Sequence, residues 1–242
     1  MSDILLKKIA FFVEGKTEMV FLEKLLFEVC SVNSYAYKIQ TMRGGGKNVY
    51  QVEVIREQVL SPEMHKFILI TECGSDSTVK SYMLEERVSL IKSGYSLIVG
   101  IVDLYPRPLT ELYKWIKGLN YLVPQLPIPL KFVIPVVEIE SWFIAEKNHF
   151  LKINPRLTTD RISEVIGYRY ENLIVENIGH PSVTLDGIYR TENIRYKKTE
   201  ASIKRTVEAL DYVNIYFELR TFIPSLNDLI KIINEDVLGI TH

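Results

Sequence analysis

Four acidic residues stand where a carboxylate could do chemistry. Glu14 follows the apolar run Lys8 to Val13, Asp103 follows Leu97 to Val102, and Glu138 and Glu140 follow Lys131 to Val137. An acid directly after a strand of an open parallel sheet projects into the crevice where such sheets bind ligands. Oxygen-only donor sets suit hard divalent cations, and Mg²⁺ or Mn²⁺ held by a few carboxylates keeps several waters and favours phosphate-containing substrates. Phosphodiester chemistry is the natural expectation, because two such ions can activate a water and stabilise the leaving oxygen. Glu14, Asp103, Glu138 and Glu140 are therefore the expected metal ligands and catalytic acids.

Each acid also has a plainer role open to it. Glu14, with Gly15 beside it and Glu18 a helical turn further on, suits the positive end of a helix dipole. Asp103 could be a turn or helix-cap aspartate ahead of Pro106 and Pro108. Glu138 and Glu140 could be a solvated pair beside Trp142 and Phe143; they share a side if the backbone is extended but diverge by about 200° in a helix. The spacing leaves that choice open.

The densest basic tract is Arg195-Tyr196-Lys197-Lys198 with Lys204 and Arg205. It could meet phosphate, or be a solvated helix start beside Glu192 and Glu200. Arg43, Lys47 and Arg107 are secondary nucleic-acid contacts, near expected strand-end loops. Gly44-Gly45-Gly46-Lys47 resembles a phosphate cradle but lacks the spacing and Lys-Ser/Thr ending of a Walker motif. His65, His149, His180 and His242, with Cys30 and Cys73, show no zinc-ligand or paired-thiol spacing.

The elements that must position these residues follow from periodicity. Lys8 to Val13 reads as a strand, and Leu22, Leu25, Leu26 and Val29 as the face of the following helix. Tyr35 to Thr41 predicts a strand, with Val52, Ile55 and Val59 on one face of a second helix. Phe67 to Thr71 predicts a third strand, Gly74-Ser75-Asp76-Ser77 a turn and cap, and Leu84, Val88 and Ile91 a helix stopping near Gly94. Leu97 to Val102 is apolar throughout, as a central strand is when both its faces are covered. Leu109, Leu112, Tyr113 and Ile116 share a helical face before the strand Lys131 to Val137. Five strands alternating with four helices predict an α/β fold with an open, mainly parallel sheet flanked by helices.

Beyond about His149 the alternation ends. Thr199 could cap a helix carrying Ile203, Val207 and Leu210, and Leu226, Leu229, Ile230 and Ile233 mark a last amphipathic helix. The expected organisation is an α/β domain over residues 1–150 and a smaller, mostly helical appendage over 151–242.

The chain of 242 residues, 47% hydrophobic and 24% charged, has a globular composition that folds without metal or disulfide staples. The absence of a basic-then-apolar leader pattern and of an apolar run near 20 residues leads to the expectation of a cytoplasmic protein without membrane association. A formal net charge of −1 neither signals nor excludes nucleic acid.

Three segments, Phe12-Val13-Glu14-Gly15-Lys16-Thr17-Glu18, Ile101-Val102-Asp103-Leu104-Tyr105 and Glu138-Ile139-Glu140-Ser141-Trp142, resemble the ordered motifs of a Toprim domain. The resemblance covers Lys8 to Ala145 and is nearest to small stand-alone Toprim proteins, including RloB-like and OLD-type nucleases, many associated with defence against phage. It implies a Toprim/Rossmann-like sheet, a metal-ligand or acid/base role for Glu14, and for Asp103 the first place of an Asp-x-Asp motif. Tyr105 holds the second place, a departure that Glu138 or Glu140 could offset as later acids do in OLD-type nucleases. Tyr196-Lys197-Lys198 carries the likeness into the carboxy-terminal part. The expectation is a Mg²⁺- or Mn²⁺-dependent nuclease with Lys198 on phosphate. Its partner would be nucleic acid, with an ATPase partner protein and a homo-oligomer left open. The alternatives are primase-type nucleotidyl transfer and a non-catalytic binding module with a degenerate site.

Overall fold

The computed structural model describes residues 6–30, 34–45 and 48–240. The chain divides into two compact units, one of residues 1–102, 114–133 and 231–242, the other of residues 103–113 and 134–230. The second unit thus takes in segments that the sequence pattern assigns to the sheet domain.

Among the described residues the first unit carries a six-stranded sheet. Its strands are β1 (Lys7–Val13), β2 (Ala36–Gly45), β3 (Asn48–Gln58), β4 (Lys66–Glu72), β5 (Tyr95–Ile101) and β6 (Leu130–Val133), in the order β3-β2-β4-β1-β5-β6. Every pairing is parallel except β2 with β3. The fold class is therefore the expected α/β with an open, mostly parallel sheet. Ile9 to Val13, Ile68 to Glu72 and Leu97 to Ile101 are buried without polar alternation, the signature of central strands covered on both faces.

Helix α1 (Lys16–Val29) buries Phe21, Leu22, Leu25 and Leu26. Each such side chain contributes about 1.5–3 kcal/mol on leaving water. Helix α2 (Asp76–Lys92) begins after Ser75 and packs Val79, Tyr82, Met83 and Leu90 into the core with Ala10, Phe12, Ile98 and Leu130. Its buried face differs from the expected one: Leu84 and Ile91 only flank that core, and Val88 is exposed. Gly100 is required where α2 and β6 close on β5, since a Cβ there would lie 2.7 Å from the Met83 sulfur and 2.8 Å from the Phe132 ring. Helix α3 (Leu112–Asn120) buries Leu119 and half-buries Trp115, whereas Tyr113 and Ile116 face solvent, so the expected apolar face is not the one used.

The helix expected on Val52, Ile55 and Val59 does not form. β2 and β3 make an antiparallel hairpin instead. Residues 51–57 are all exposed, so a helix there would have no face to bury, while branched Val52, Val54 and Ile55 suit a strand whose backbone bonds β2 supplies. The strand expected to reach Val137 stops at Val133, because Pro135 offers no N–H and Val137 takes a left-handed backbone with φ 66°.

The second unit is helical: α4 (Glu140–Ala145), α5 (Asn148–Ile153), α6 (Thr159–Ile166), α7 (Pro181–Arg190), α8 (Glu200–Ala209), α9 (Tyr212–Phe217) and most of α10 (Pro224–Ile232). Trp142, Phe143, Phe150, Ile188, Tyr189 and Leu226 are buried in it. Thr199 caps α8 as its sequence pattern predicts, accepting from the Ser202 amide. Among the described residues no helix is long and apolar enough to cross a membrane.

Candidate active site

Glu138 and Glu140 lie where the chain leaves the end of β6 and turns into α4. Val137, a branched residue in the left-handed region, makes that turn, and Glu140 is the first residue of the helix. The geometry is thus neither of the two the spacing leaves open: Glu138 precedes the helix and Glu140 starts it. Even so, both carboxylates reach one ammonium. Lys198 Nζ is 3.0 Å from Glu138 Oε1 and 3.2 Å from Glu140 Oε1.

The remaining partners fix both acids. The Ser182 amide donates to Glu138 Oε2 over 2.9 Å and its hydroxyl to Oε1 over 3.1 Å, so Glu138 sits at the amino end of α7, where exposed N–H groups favour an anion. The Tyr196 hydroxyl donates to Glu140 Oε1 over 2.9 Å. Burial would raise the Glu138 carboxyl, but the Ser182 amide and the Lys198 charge outweigh it and hold the group below the usual range. Glu140 is fully buried, and there burial prevails over Lys198 and raises the carboxyl. Two neighbouring acids are thereby pushed apart, an arrangement found at functional sites.

Lys198 itself has φ 51°, in the left-handed region that a non-glycine residue adopts only when its surroundings impose it. The loop before it is pinned to α7. Asp186 takes Arg195 in two bonds of 3.0 Å and the Tyr196 amide over 2.7 Å, and the Arg195 bond holds the Asp186 carboxyl below its usual range. Strain is therefore present at both segments that deliver Glu138 and Lys198.

Asp103 is buried and opens a segment that runs beside the one leading to Glu138: the Leu104 amide donates to Pro135 over 3.1 Å and the Tyr105 amide to Val137 over 2.8 Å. Asp103 hence stands at the start of the paired segments and Glu138 just past their end. Tyr105 sets its ring edge-on to His180 with centroids 5.8 Å apart. Arg107 is half-buried two residues on.

The other predicted residues have partners of their own or are exposed. Glu14 belongs to the sheet unit, where it is half-buried and its carbonyl accepts from the Gly74 amide over 2.8 Å. Glu18 completes a capping box, accepting from the Gly15 amide over 2.9 Å. Arg43 is held at the end of β4, donating to the Glu72 carboxylate, and to its carbonyl over 3.0 Å. Lys197 is exposed beside Lys198. Lys47 lies outside the described residues.

Sequence reasoning missed Ser182, Asp186 and Glu72. Ser182 follows Pro181, a residue favoured at the first position of a helix, so Pro181-Ser182 was the available signal for an amino-terminal N–H pointing at an anion. Donor chemistry at Glu138, Glu140 and Asp103 is all hard oxygen, which suits Mg²⁺ or Mn²⁺. Among the described residues, however, no three of His, Cys, Asp and Glu are grouped to hold an ion. No protein-family model, curated protein or solved structure matches the chain.

Proposed function

We propose that the chain is a Mg²⁺- or Mn²⁺-dependent nuclease acting on DNA or RNA, with Glu138, Glu140 and Asp103 as the acids of its site. The observation that carries this reading is the pair of carboxylates, one lowered and one raised, converging on a single lysine at a strained turn. A site built only for stability gains little from burying an anion whose ordinary state is disfavoured there.

Each residue has a part in that reading. Ser182 and the α7 amino end orient Glu138, and Tyr196 orients Glu140. Glu138 and Glu140 would hold the cation, which would supply Lewis acidity toward the phosphate oxygens, and Asp103 is proposed with them from its place in the sequence. Lys198, with Lys197 and Arg107, supplies positive charge for the substrate backbone. Glu14 stays a proposed member by its resemblance alone.

A second reading is favoured by Tyr105: with an aromatic ring in place of an acid, the unit could serve as a non-catalytic binding module whose two carboxylates are neutralised by Lys198. The two readings part in one experiment. Asp103→Asn and Glu14→Gln keep side-chain shape and remove the charge that holds a cation. Assayed on single-stranded DNA, duplex DNA and structured RNA with Mg²⁺ or Mn²⁺, the parent should cleave and Asp103→Asn should not, with circular dichroism unchanged. Full cleavage by Asp103→Asn would sink the mechanism. A melting temperature indifferent to millimolar Mn²⁺ would support the module, because a ligand bound to the native state must stabilise it.

A further inference from the structure

We infer that the Lys198 ammonium is an internal competitor for the divalent cation, occupying the carboxylates until the ion displaces it. This rests on the proposed metal site at Glu138 and Glu140. The ammonium lies within 3.0 and 3.2 Å of one oxygen of each acid, so it already neutralises the two donors that a cation would use. A cation and an ammonium cannot share those oxygens without strong repulsion at such distances.

The side chain is able to leave. Lys198 is 43% exposed along its side chain, whereas Glu138 and Glu140 are 9% and 0% exposed, so the lysine can move outward while the acids stay. The acids keep partners when it goes: Ser182 still donates twice to Glu138 and Tyr196 once to Glu140. A lysine is a compact charge on a flexible stem, suited to exchanging one anion for another. Lysine departure and metal binding are then one event, and the charge leaves the acids only when something stronger replaces it.

Competition makes the sign of a mutation distinctive. A lysine that merely supports the site would weaken metal binding when removed; a competitor strengthens it. Lys198→Asn removes the charge and tolerates the left-handed backbone, Lys198→Gly tolerates it still better, and Lys198→Arg keeps the charge as a control. The measurement is the Mn²⁺ concentration that gives half of the maximal rise in melting temperature, with Mn²⁺ alone and no nucleic acid.

The expected result is that Lys198→Asn and Lys198→Gly need about tenfold less Mn²⁺ than the parent, equivalent to ~1.4 kcal/mol, while Lys198→Arg stays near the parent. Equal or weaker binding in the two neutral variants, with the parent binding Mn²⁺, would overturn the competition and leave the metal reading standing. No stabilisation by Mn²⁺ in the parent or in either neutral variant would overturn both. Independently of folding in the variants, acylation of lysine amines in the parent, mapped by mass spectrometry, should label Lys198 faster when Mn²⁺ is present. Labelling that Mn²⁺ leaves unchanged or slows would overturn the displacement.

Discussion

Replacing Tyr196 by phenylalanine removes a single oxygen from a buried place. That hydroxyl donates over 2.9 Å to Glu140 Oε1, Tyr196 is 3% exposed, and the same carboxylate oxygen keeps Lys198 at 3.2 Å. A hydrogen bond to a charged group contributes about 1.5–3 kcal/mol, and because Lys198 remains, the lower part of that range, about 1.5–2 kcal/mol, applies. In a chain of this size each kcal/mol moves the melting temperature by about 2–4 °C. Tyr196→Phe should therefore melt roughly 3–8 °C below the parent at neutral pH, read by circular dichroism. In a Glu140→Gln background the phenol meets a neutral oxygen and the same change should cost only about 0.5–1.5 kcal/mol. Equal drops in the two backgrounds, or a drop under about 1 °C in the parent, would refute the claim that Tyr196 stabilises a buried charge.

The raised Glu140 carboxyl gives a pH prediction with a definite sign. Its contribution to stability is complete below the ordinary glutamate pKa of about 4.3 and is lost as pH rises toward the raised folded value, so Glu140→Gln should gain on the parent as pH rises through that interval. Thermal melts across mildly acidic to neutral pH test this. Gly100→Ala forces a methyl against Met83 and Phe132 and should destabilise by about 1–3 kcal/mol in denaturant titrations without altering the helical unit's Glu138–Lys198 pair. If Lys197 contacts backbone phosphate, Lys197→Ala should reduce the salt slope of nucleic-acid binding by about one; an unchanged slope would leave it on the solvated surface.

The sheet was legible where burial wrote a continuous apolar run, as at Lys8 to Val13, Phe67 to Thr71 and Leu97 to Val102. The β2–β3 hairpin was not, because Val52, Ile55 and Val59 fall by chance at helical spacing while pairing with β2, a non-local event, decides the conformation. The face of α2 was misread for a related reason: Tyr82 and Met83 are buried by what packs over them, which periodicity alone cannot rank against Val88. Glu138, Glu140, Asp103 and Lys198 were visible as residue types after strands or in a basic tract. Their partners were hidden by distance along the chain. Ser182 lies 44 residues from Glu138, and Lys198 lies 60, so only the fold brings them together. Nothing local signals that Asp186 pins Arg195 and the Tyr196 amide, since that contact depends on a turn between two helices.

Metal-dependent cleavage through Glu138 is settled by one comparison: end-labelled single-stranded DNA, duplex DNA and RNA incubated with the parent and with Glu138→Gln, each with Mn²⁺ and with chelator. Glu138 takes three bonds, from Ser182 and Lys198, and the glutamine keeps its size while removing its charge. The expected result is cleavage by the parent with Mn²⁺, none with chelator, and a loss of about a hundredfold or more in Glu138→Gln at unchanged fold. Parental cleavage rates in Glu138→Gln, or cleavage that persists in chelator, would contradict it.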